Sequence, residues 1–466
     1  MTDNRAIESL KDSITESVWR KDLSLPQDLP SLVGEQAADL VVVGAGFTGL
    51  WTAILAKEID PSCDVAIIEA HDIGFGASSR NGGFISESLT HGLAHGLSLW
   101  PKEMSQLLDF GRTNFAEIQE FVLTENIDAE LVACGKTAVA TRTHEVDALR
   151  ESVELHNAWG EKAEFLNREE IQADVHSPTF LAGMRLHTGS GLMNPAKLLS
   201  GLTQSARNRG VRFYVNSPVT ELNDSNERVL LTTSNGSIRA QHVVLATNAF
   251  TPLKSSIKHR VMPIFDHVLA TQPLTAAQLD SIGWKQGQGL TDSGNQFHYF
   301  RKTADGRILW GGYDANYYYG NDTRPIRETR PASHQLLARQ FMETFPSLED
   351  INFEYKWAGL IDSTSRFTPF YDVSGTGRVG TVVGFTGLGV GSSRFGAKVI
   401  LDLLWKRDTD IVKLEMVRRK PFPFPPEPAR YPVVAFTRWS LTREDATGKR
   451  GLWLRLLDLF GVGFNS

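Results

Sequence analysis

The chain has 466 residues, 41% hydrophobic and 22% charged, with a formal net charge of −6, a composition that excludes a disordered chain and gives no basic field for nucleic acid. Its two cysteines, Cys63 and Cys134, are too few for a disulfide framework or a thiolate zinc site and suit a reducing, cytoplasmic setting. No basic-then-apolar start reads as a signal peptide and no apolar run reaches the ~18 residues of a membrane span, so two or three domains, neither exported by that route nor membrane-spanning, are expected.

Residues 1–38 read as a polar surface arm broken by Pro26 and Pro30, with Trp19 and Leu23 as anchors. Residues 40–43 are wholly apolar, as a strand buried on both faces of a parallel sheet must be. Gly44-x-Gly46-x-x-Gly49 follows and opens a helix, taking in Phe47 and Thr48. Gly44 permits a tight turn, Gly46 lets backbone approach a pyrophosphate, and Gly49 lets helix and strand pack closely. The helix start offers free amides and a positive dipole end to phosphate. Residues 65–68 form a second buried strand that ends in Glu69-Ala70, and an acid about 20 residues beyond the glycines suits a ribose hydroxyl. This is a site for the ADP part of a dinucleotide, either NAD or FAD. The segment 74–84, GFGASSRNGGF, suits close backbone approach to a ligand.

Apolar spacing predicts helices over 106–123 and 145–160, with a strand in 131–141 and a capping box at Asn167-x-x-Glu170. Asn194-Pro195 opens a helix that runs to about Arg209 and stops at Gly210. Strands follow at 211–215 and 228–233, a hairpin turn at Asn235-Gly236, and a third buried run at 243–246 ending in Thr247-Asn248-Ala249. Residues 262–355 alternate like an antiparallel sheet, with strands at 296–301 and 307–313 and a helix near 334–344. The run 379–383 leads into Gly384, Gly387, Gly389 and Gly391, with a helix from about Ser393. No acidic strand end follows, so this is not a second dinucleotide fingerprint; a helix start there suits the ring of a cofactor held by the first. From Ile411 the tail holds ten Lys or Arg against five Asp or Glu, a proline-rich 421–428 and an amphipathic 451–464. That amphipathic stretch is expected to pack on its own protein, with an oligomer contact or a membrane surface as alternatives. No residue spacing marks a metal site or a nucleophilic triad. His91, His95 and His298 are candidate bases that no spacing singles out.

In their order, the Gly44 motif, Glu69, GASSRNGG at 76–83, Asn194-Pro195, VVLATNA at 243–249, Gly311-Gly312, Trp357-x-Gly359 and GFTGLGVG at 384–391 resemble the glycine and D-amino-acid oxidase superfamily of FAD enzymes. The nearer likeness is to its gamma-glutamylputrescine oxidoreductase and sarcosine oxidase-like, amine-oxidising branch. The resemblance implies an α/β, Rossmann-like FAD-binding domain built from 39–95, 190–262 and 356–410, and an α+β substrate domain with a mixed, largely antiparallel sheet from 96–189 and 263–355. The tail 411–466 lies outside the family core. It also implies roles: Gly44, Gly46, Phe47, Thr48 and Gly49 at the pyrophosphate, Glu69 and Ala70 at the adenosine ribose, and Ser78, Ser79, Arg80, Asn81, Gly82 and Gly83 along the phosphates toward the ring. Val219 would meet adenine, Ala246 and Thr247 the ribityl and diphosphate region, and Gly387, Leu388, Gly389 and Val390 the pyrimidine edge.

Tyr299, Arg301 and Trp357 fall in stretches that resemble substrate-side or ring-covering segments. Where the family commonly has an acid shortly before proline, this chain has Ser365-Arg366-Phe367-Thr368-Pro369, so Arg366 is expected to receive an anionic part of the substrate. Neither cysteine nor a histidine stands where relatives attach flavin, which implies non-covalent FAD. The implied reaction is oxidation of a C–N bond of an amine or amino acid by hydride transfer to flavin, giving an imine that water hydrolyses, with oxygen, a quinone or a partner protein as electron acceptor. Two alternatives stand beside it: an NAD-dependent dehydrogenase, which explains neither the 76–83 segment nor the late glycine loop, and a flavin-holding subunit of a larger assembly.

Overall fold

The computed structural model describes residues 2–225, 227–250 and 253–463. Its first sheet is built on apolar runs that do not alternate, because helices and a small meander cover both of its faces. The strands lie in the order Arg212–Tyr214, Val65–Ile68, Gly34–Val43, Gly236–Leu245 and Val379–Val383, all parallel, with Phe370–Val373 antiparallel at the edge. Leu40, Val42, Val65, Ile67, Val244 and Val382 face a core shared with the Phe47–Ile59, Pro195–Asn208 and Gly389–Leu404 helices. Val41, Val43, Ala66, Ile68, Val243 and Leu245 face the opposite core, closed by Val229–Thr232. That strand pairs with Gly236–Leu245 through the Asn235-Gly236 turn, as the sequence predicts. Val43 lies opposite both Ile68 and Leu245, and Leu245 opposite Thr381. Four carboxyl ends therefore open on one crevice, the place where such sheets bind ligands.

The second sheet runs Phe353–Ser363, Met262–Thr271, Ile308–Gly312, His298–Lys302, Gly289–Asp292, Lys136–Ala140, Ala182–Leu186 and Ala163–Leu166. Only the Gly289–Asp292 and Lys136–Ala140 pair is parallel. One face carries Leu269, Phe300 and Trp310 against Leu337, Phe341 and Phe345, in and beside the Pro331–Thr344 helix. The other carries Val268, Leu309 and Trp357, packed against Trp19 and Ala196. The expected cut at 356 falls inside the Phe353–Ser363 strand, which pairs with Met262–Thr271 from Ser363 back to Phe353 and so belongs to this sheet.

Three elements depart from expectation. The arm lies on the surface with Trp19 buried as its anchor, but it is tied in by backbone pairing that was not expected: Ile14 N donates to Glu354 O at 2.8 Å and Lys356 N returns to Ile14 O at 3.0 Å. Its polar residues hide these backbone pairings from any reading of periodicity. The late helix begins at Gly389 rather than Ser393. Its glycines are tolerated because a side chain at Gly391 would collide with Ser86 O. In the tail an unforeseen Arg430–Thr447 helix precedes a short Leu452–Leu459 helix, and Phe464, the end of the expected amphipathic stretch, lies outside the described residues. The longer helix buries Thr437, Ser440 and Asp445, so it carries little apolar-inward pattern to read.

Candidate active site

The crevice is lined first by the glycine turn. Gly44 has φ 110°, and a Cβ there would stand 2.5 Å from Ala246 O, so Ala246 and Thr247 close directly over the turn. Ala246 N donates to Val43 O at 2.9 Å. Near the Cβ direction of Gly46 stands only the Ser78 side chain, whose Oγ accepts from Phe47 N at 2.9 Å. The helix start is thus bound to the 78–83 segment, while the first-turn amides of Thr48 and Gly49 have no helical carbonyl to bond. Glu69 ends its strand with Oε2 accepting from Ala45 N at 2.8 Å and Oε1 from His71 N at 3.0 Å. Ala70 follows it, and the chain before Val219 runs alongside, Ser217 N donating to Glu69 O at 2.9 Å.

The segment 78–83 is held by its carbonyls. Ser17 Oγ donates to Ser79 O (2.9 Å), Trp357 Nε1 to Arg80 O (2.8 Å), Trp19 Nε1 to Asn81 O (2.8 Å) and Arg301 Nη1 to Gly83 O (3.0 Å). Arg301 also donates to Met193 O at 2.7 Å. Among the described residues the amides of Asn81 and Gly82 donate to no protein acceptor, although Gly82 is buried. Buried backbone donors are normally paired, so this pair fits a ligand acceptor. Gly387, with φ 91° and no atom of the described residues near its Cβ direction, leaves open space beside Leu388, Gly389 and Val390, the cap and first turn of the late helix. Free amides at two helix starts, an unfilled glycine turn and an acid at the second strand end fit FAD.

The second sheet supplies the opposite wall. Tyr299, Arg301, Trp357, Gly311 and Gly359 share one face with Asp266, since Asp266 lies opposite Gly359 and Tyr299 opposite Gly311. Tyr299 fits between two glycines: a Cβ on Gly82 or on Gly311 would come within 2.6 Å of its ring. Its hydroxyl donates to Asp266 Oδ2 at 2.5 Å. Burial raises the Asp266 carboxyl to about 6, opposed by the Tyr299 hydrogen bond, and burial with Asp266 beside it holds the Tyr299 phenol well above its usual range. At the rim Arg80 pairs with Glu328 at 2.5 Å. The structure therefore brings Tyr299, Arg301 and Trp357 to the 80–83 segment, with Arg301 and Trp357 spent on its carbonyls.

Sequence reasoning missed Asp266, Ser17 and Trp19 as site residues. One acid in an apolar strand has no spacing signature, and the arm's contacts are long-range. Arg366 departs from its expected role. Its guanidinium donates to Pro369 O (2.5 Å), Met416 O (3.0 Å) and Arg419 O, and stacks over Trp100. It thereby ties the tail to the 364–369 turn and spends itself on backbone carbonyls rather than on a substrate carboxylate. His298 bonds Asp292 and Gln340 on the far face of the sheet. His91 and His95 back the late loop, their Nε2 atoms 3.0 Å from Thr386 O and Arg366 O, and burial lowers His91 to about 4. Among the described residues no cluster of His, Cys, Asp or Glu could hold a metal, and no helix is long and apolar enough to cross a membrane.

Residues 39–403 match the DAO family, FAD dependent oxidoreductase. The chain belongs to this family. DAO relatives include the probable oxidoreductase OrdL of Haemophilus influenzae, 26% identical over 80% of this chain and 84% of its own, and gamma-glutamylputrescine oxidoreductase of Escherichia coli, 28% identical over 78% and 83%. The crystal structure of glycine oxidase from Geobacillus kaustophilus has the same fold at 20% identity, with a TM-score of 0.68 over 80% of this chain and 96% of that one. This DAO chain is an FAD-dependent oxidoreductase, with a Rossmann-like cofactor unit and a mixed-sheet unit.

Proposed function

We propose that the chain oxidises a C–N bond of a small amine or amino acid, with FAD held non-covalently in the crevice. The observation that supports this best is the meeting of the Asp266–Tyr299 face with the 80–83 segment, whose Asn81 and Gly82 amides are free. Bound FAD would take a hydride equivalent from the carbon beside nitrogen, and water would hydrolyse the resulting imine. The start of the Gly389–Leu404 helix favours negative charge at the pyrimidine edge without a proton donor.

A substrate amine arrives as an ammonium and must lose a proton before it can give up hydride. Asp266 takes that proton: Oδ2 is engaged by Tyr299, so the proton goes to Oδ1. Burial disfavours both the carboxylate and the ammonium, so passing the proton converts two desolvated charges into a neutral pair. Tyr299 holds the carboxyl in place, and Trp357 and Arg301 hold the segment it faces. With Arg301 engaged by backbone carbonyls, the Asp266 side suits the amine and leaves the rest of the substrate to the Arg80 and Glu328 rim.

The deciding experiment is anaerobic mixing of the purified holoenzyme with polyamines, their gamma-glutamyl conjugates, N-methyl amino acids, D-amino acids and aminophosphonates. Bleaching of the oxidised flavin spectrum by at least one class is expected. A spectrum that no amine changes would favour the flavin-holding subunit instead.

A further inference from the structure

The tail helices are turned inside out. Arg430–Thr447 docks on the second sheet through polar groups: Arg438 bonds Asp314 and Asn316, and Asp445 accepts from Asn295 N and Nδ2 (2.8 and 2.7 Å) and Gln296 N (2.9 Å). Its aromatic residues face away, Tyr431, Phe436 and Trp439 being exposed. The Leu452–Leu459 helix buries Leu454 alone, while Leu452 and Leu459 are each 84% exposed and Leu456 stands between them at helical spacing. Phe436 stacks on Trp439 and meets Trp453 of the second helix, both at 5.5 Å, so the two helices share one apolar surface, which Phe460 carries on to Phe422 at 6.0 Å. Eight of the sixteen exposed large apolar side chains among the described residues belong to this tail. A patch of this size and continuity marks a contact surface.

The charges around the band identify what it contacts. Its carboxylates are engaged or buried: Glu444 and Asp458 share Arg450, at 2.9 and 2.5 Å, and Asp445 is buried. Three of its cations are not engaged in this way. Arg443, Lys449 and Arg455 form no ion pair among the described residues, and Arg443 lies over Trp439 at 5.7 Å. Exposed leucines, a tryptophan and phenylalanines at the edge, and a rim of free cations are the composition of a surface that lies in a lipid headgroup layer. A second copy of the chain would bring the same unpaired cations against each other, which a self-complementary contact avoids. We propose that the band formed by Phe436, Trp439, Leu452, Leu456, Leu459 and Phe460 seats the enzyme on an anionic lipid bilayer, as a peripheral contact that spans nothing.

The test is sedimentation of the full-length holoenzyme with phosphatidylcholine vesicles, with and without phosphatidylglycerol, beside a Leu456→Glu, Leu459→Glu variant. Both leucines are outside the active site and point to solvent, so an unchanged flavin spectrum verifies the fold. Wild type should co-sediment with the phosphatidylglycerol vesicles, bind less as salt rises through the screening range, and exceed both the variant and pure phosphatidylcholine by at least about tenfold. Failure of wild type to bind overturns the proposal, as does equal binding by the variant. Light scattering that shows a vesicle-free dimer, dissolved by the same substitutions, would overturn it in favour of a second copy.

Discussion

Asp266 is one carboxyl in a strand of otherwise apolar character, and burial raises it to about 6. In the unfolded chain the same group titrates near 3.9. A raised folded-state value means that its favourable contribution is complete below the unfolded value and is lost as pH climbs through about 6. The ionised group then costs the fold on the order of 3 kcal/mol, since a tenfold change in a protonation equilibrium is worth ~1.4 kcal/mol. Asp266→Asn keeps an acceptor for Tyr299 and removes the ionisation. It should raise the thermal midpoint at pH 8 and leave it nearly unchanged at pH 4.5, read by calorimetry on both proteins. Asp362, also raised to about 6 by burial, titrates in both and cancels in the difference. The same variant should lose the rise of kcat/KM through about pH 6 that the proton acceptor produces in wild type.

At the scale of elements, the strand, glycine turn and helix from 40 to 59 was legible because each part has its own local chemistry: a non-alternating run, three glycines at fixed spacing, and a following acid. The hairpin at Asn235-Gly236 and the cap at Asn194 were legible for the same reason. Elements held by distant partners were not. The arm's Ser17 and Trp19 reach the 79–81 carbonyls, and the face shared by Asp266 and Tyr299 depends on the register of four strands. The late helix shows how tertiary packing overrides propensity. Alanine at Gly391 would favour helix by about 1 kcal/mol, but its Cβ would collide with the Ser86 carbonyl, and overpacking against backbone costs about 1–3 kcal/mol. The clash wins, so Gly391→Ala should lower stability and, by displacing the helix start, reduce the flavin-to-protein absorbance ratio of the purified enzyme. Arg366 argues similarly. Arg366→Ala strips two buried carbonyls and one half-buried carbonyl of their donor and should cost about 3 kcal/mol in denaturant unfolding. It should not change the ratio of KM values for anionic and neutral substrates, a result that a carboxylate-binding role would contradict.

The two sheets meet where the cofactor is expected to lie, joined there by Trp357 to Arg80, Arg301 to Gly83 and the Arg80–Glu328 pair, and beside it by the apolar packing of Val268, Leu309 and Trp357 on Ala196. Trp357 and Arg301 fix the 78–83 backbone from one side only, leaving the Asn81 and Gly82 amides to a ligand. FAD bound to those amides should therefore add to the stability of the molecule. A ligand that binds only the folded state adds RT ln(1 + [L]/Kd), about 2.7 kcal/mol at one hundred times Kd. Cys63 is buried behind the first sheet, where its thiol is pushed up to about 11 by burial, a poor state for forming a bond to flavin. Acid precipitation should leave a colourless pellet with all flavin in the supernatant, and a yellow pellet would mean a covalent link. Protein stripped of flavin under mild conditions should melt lower than the holoenzyme. FAD should raise the midpoint with the logarithm of its concentration, and NAD at the same concentration should raise it less, because NAD would supply the ADP half expected at Gly46 and Glu69 without the ring expected between the Gly389 helix and the second sheet.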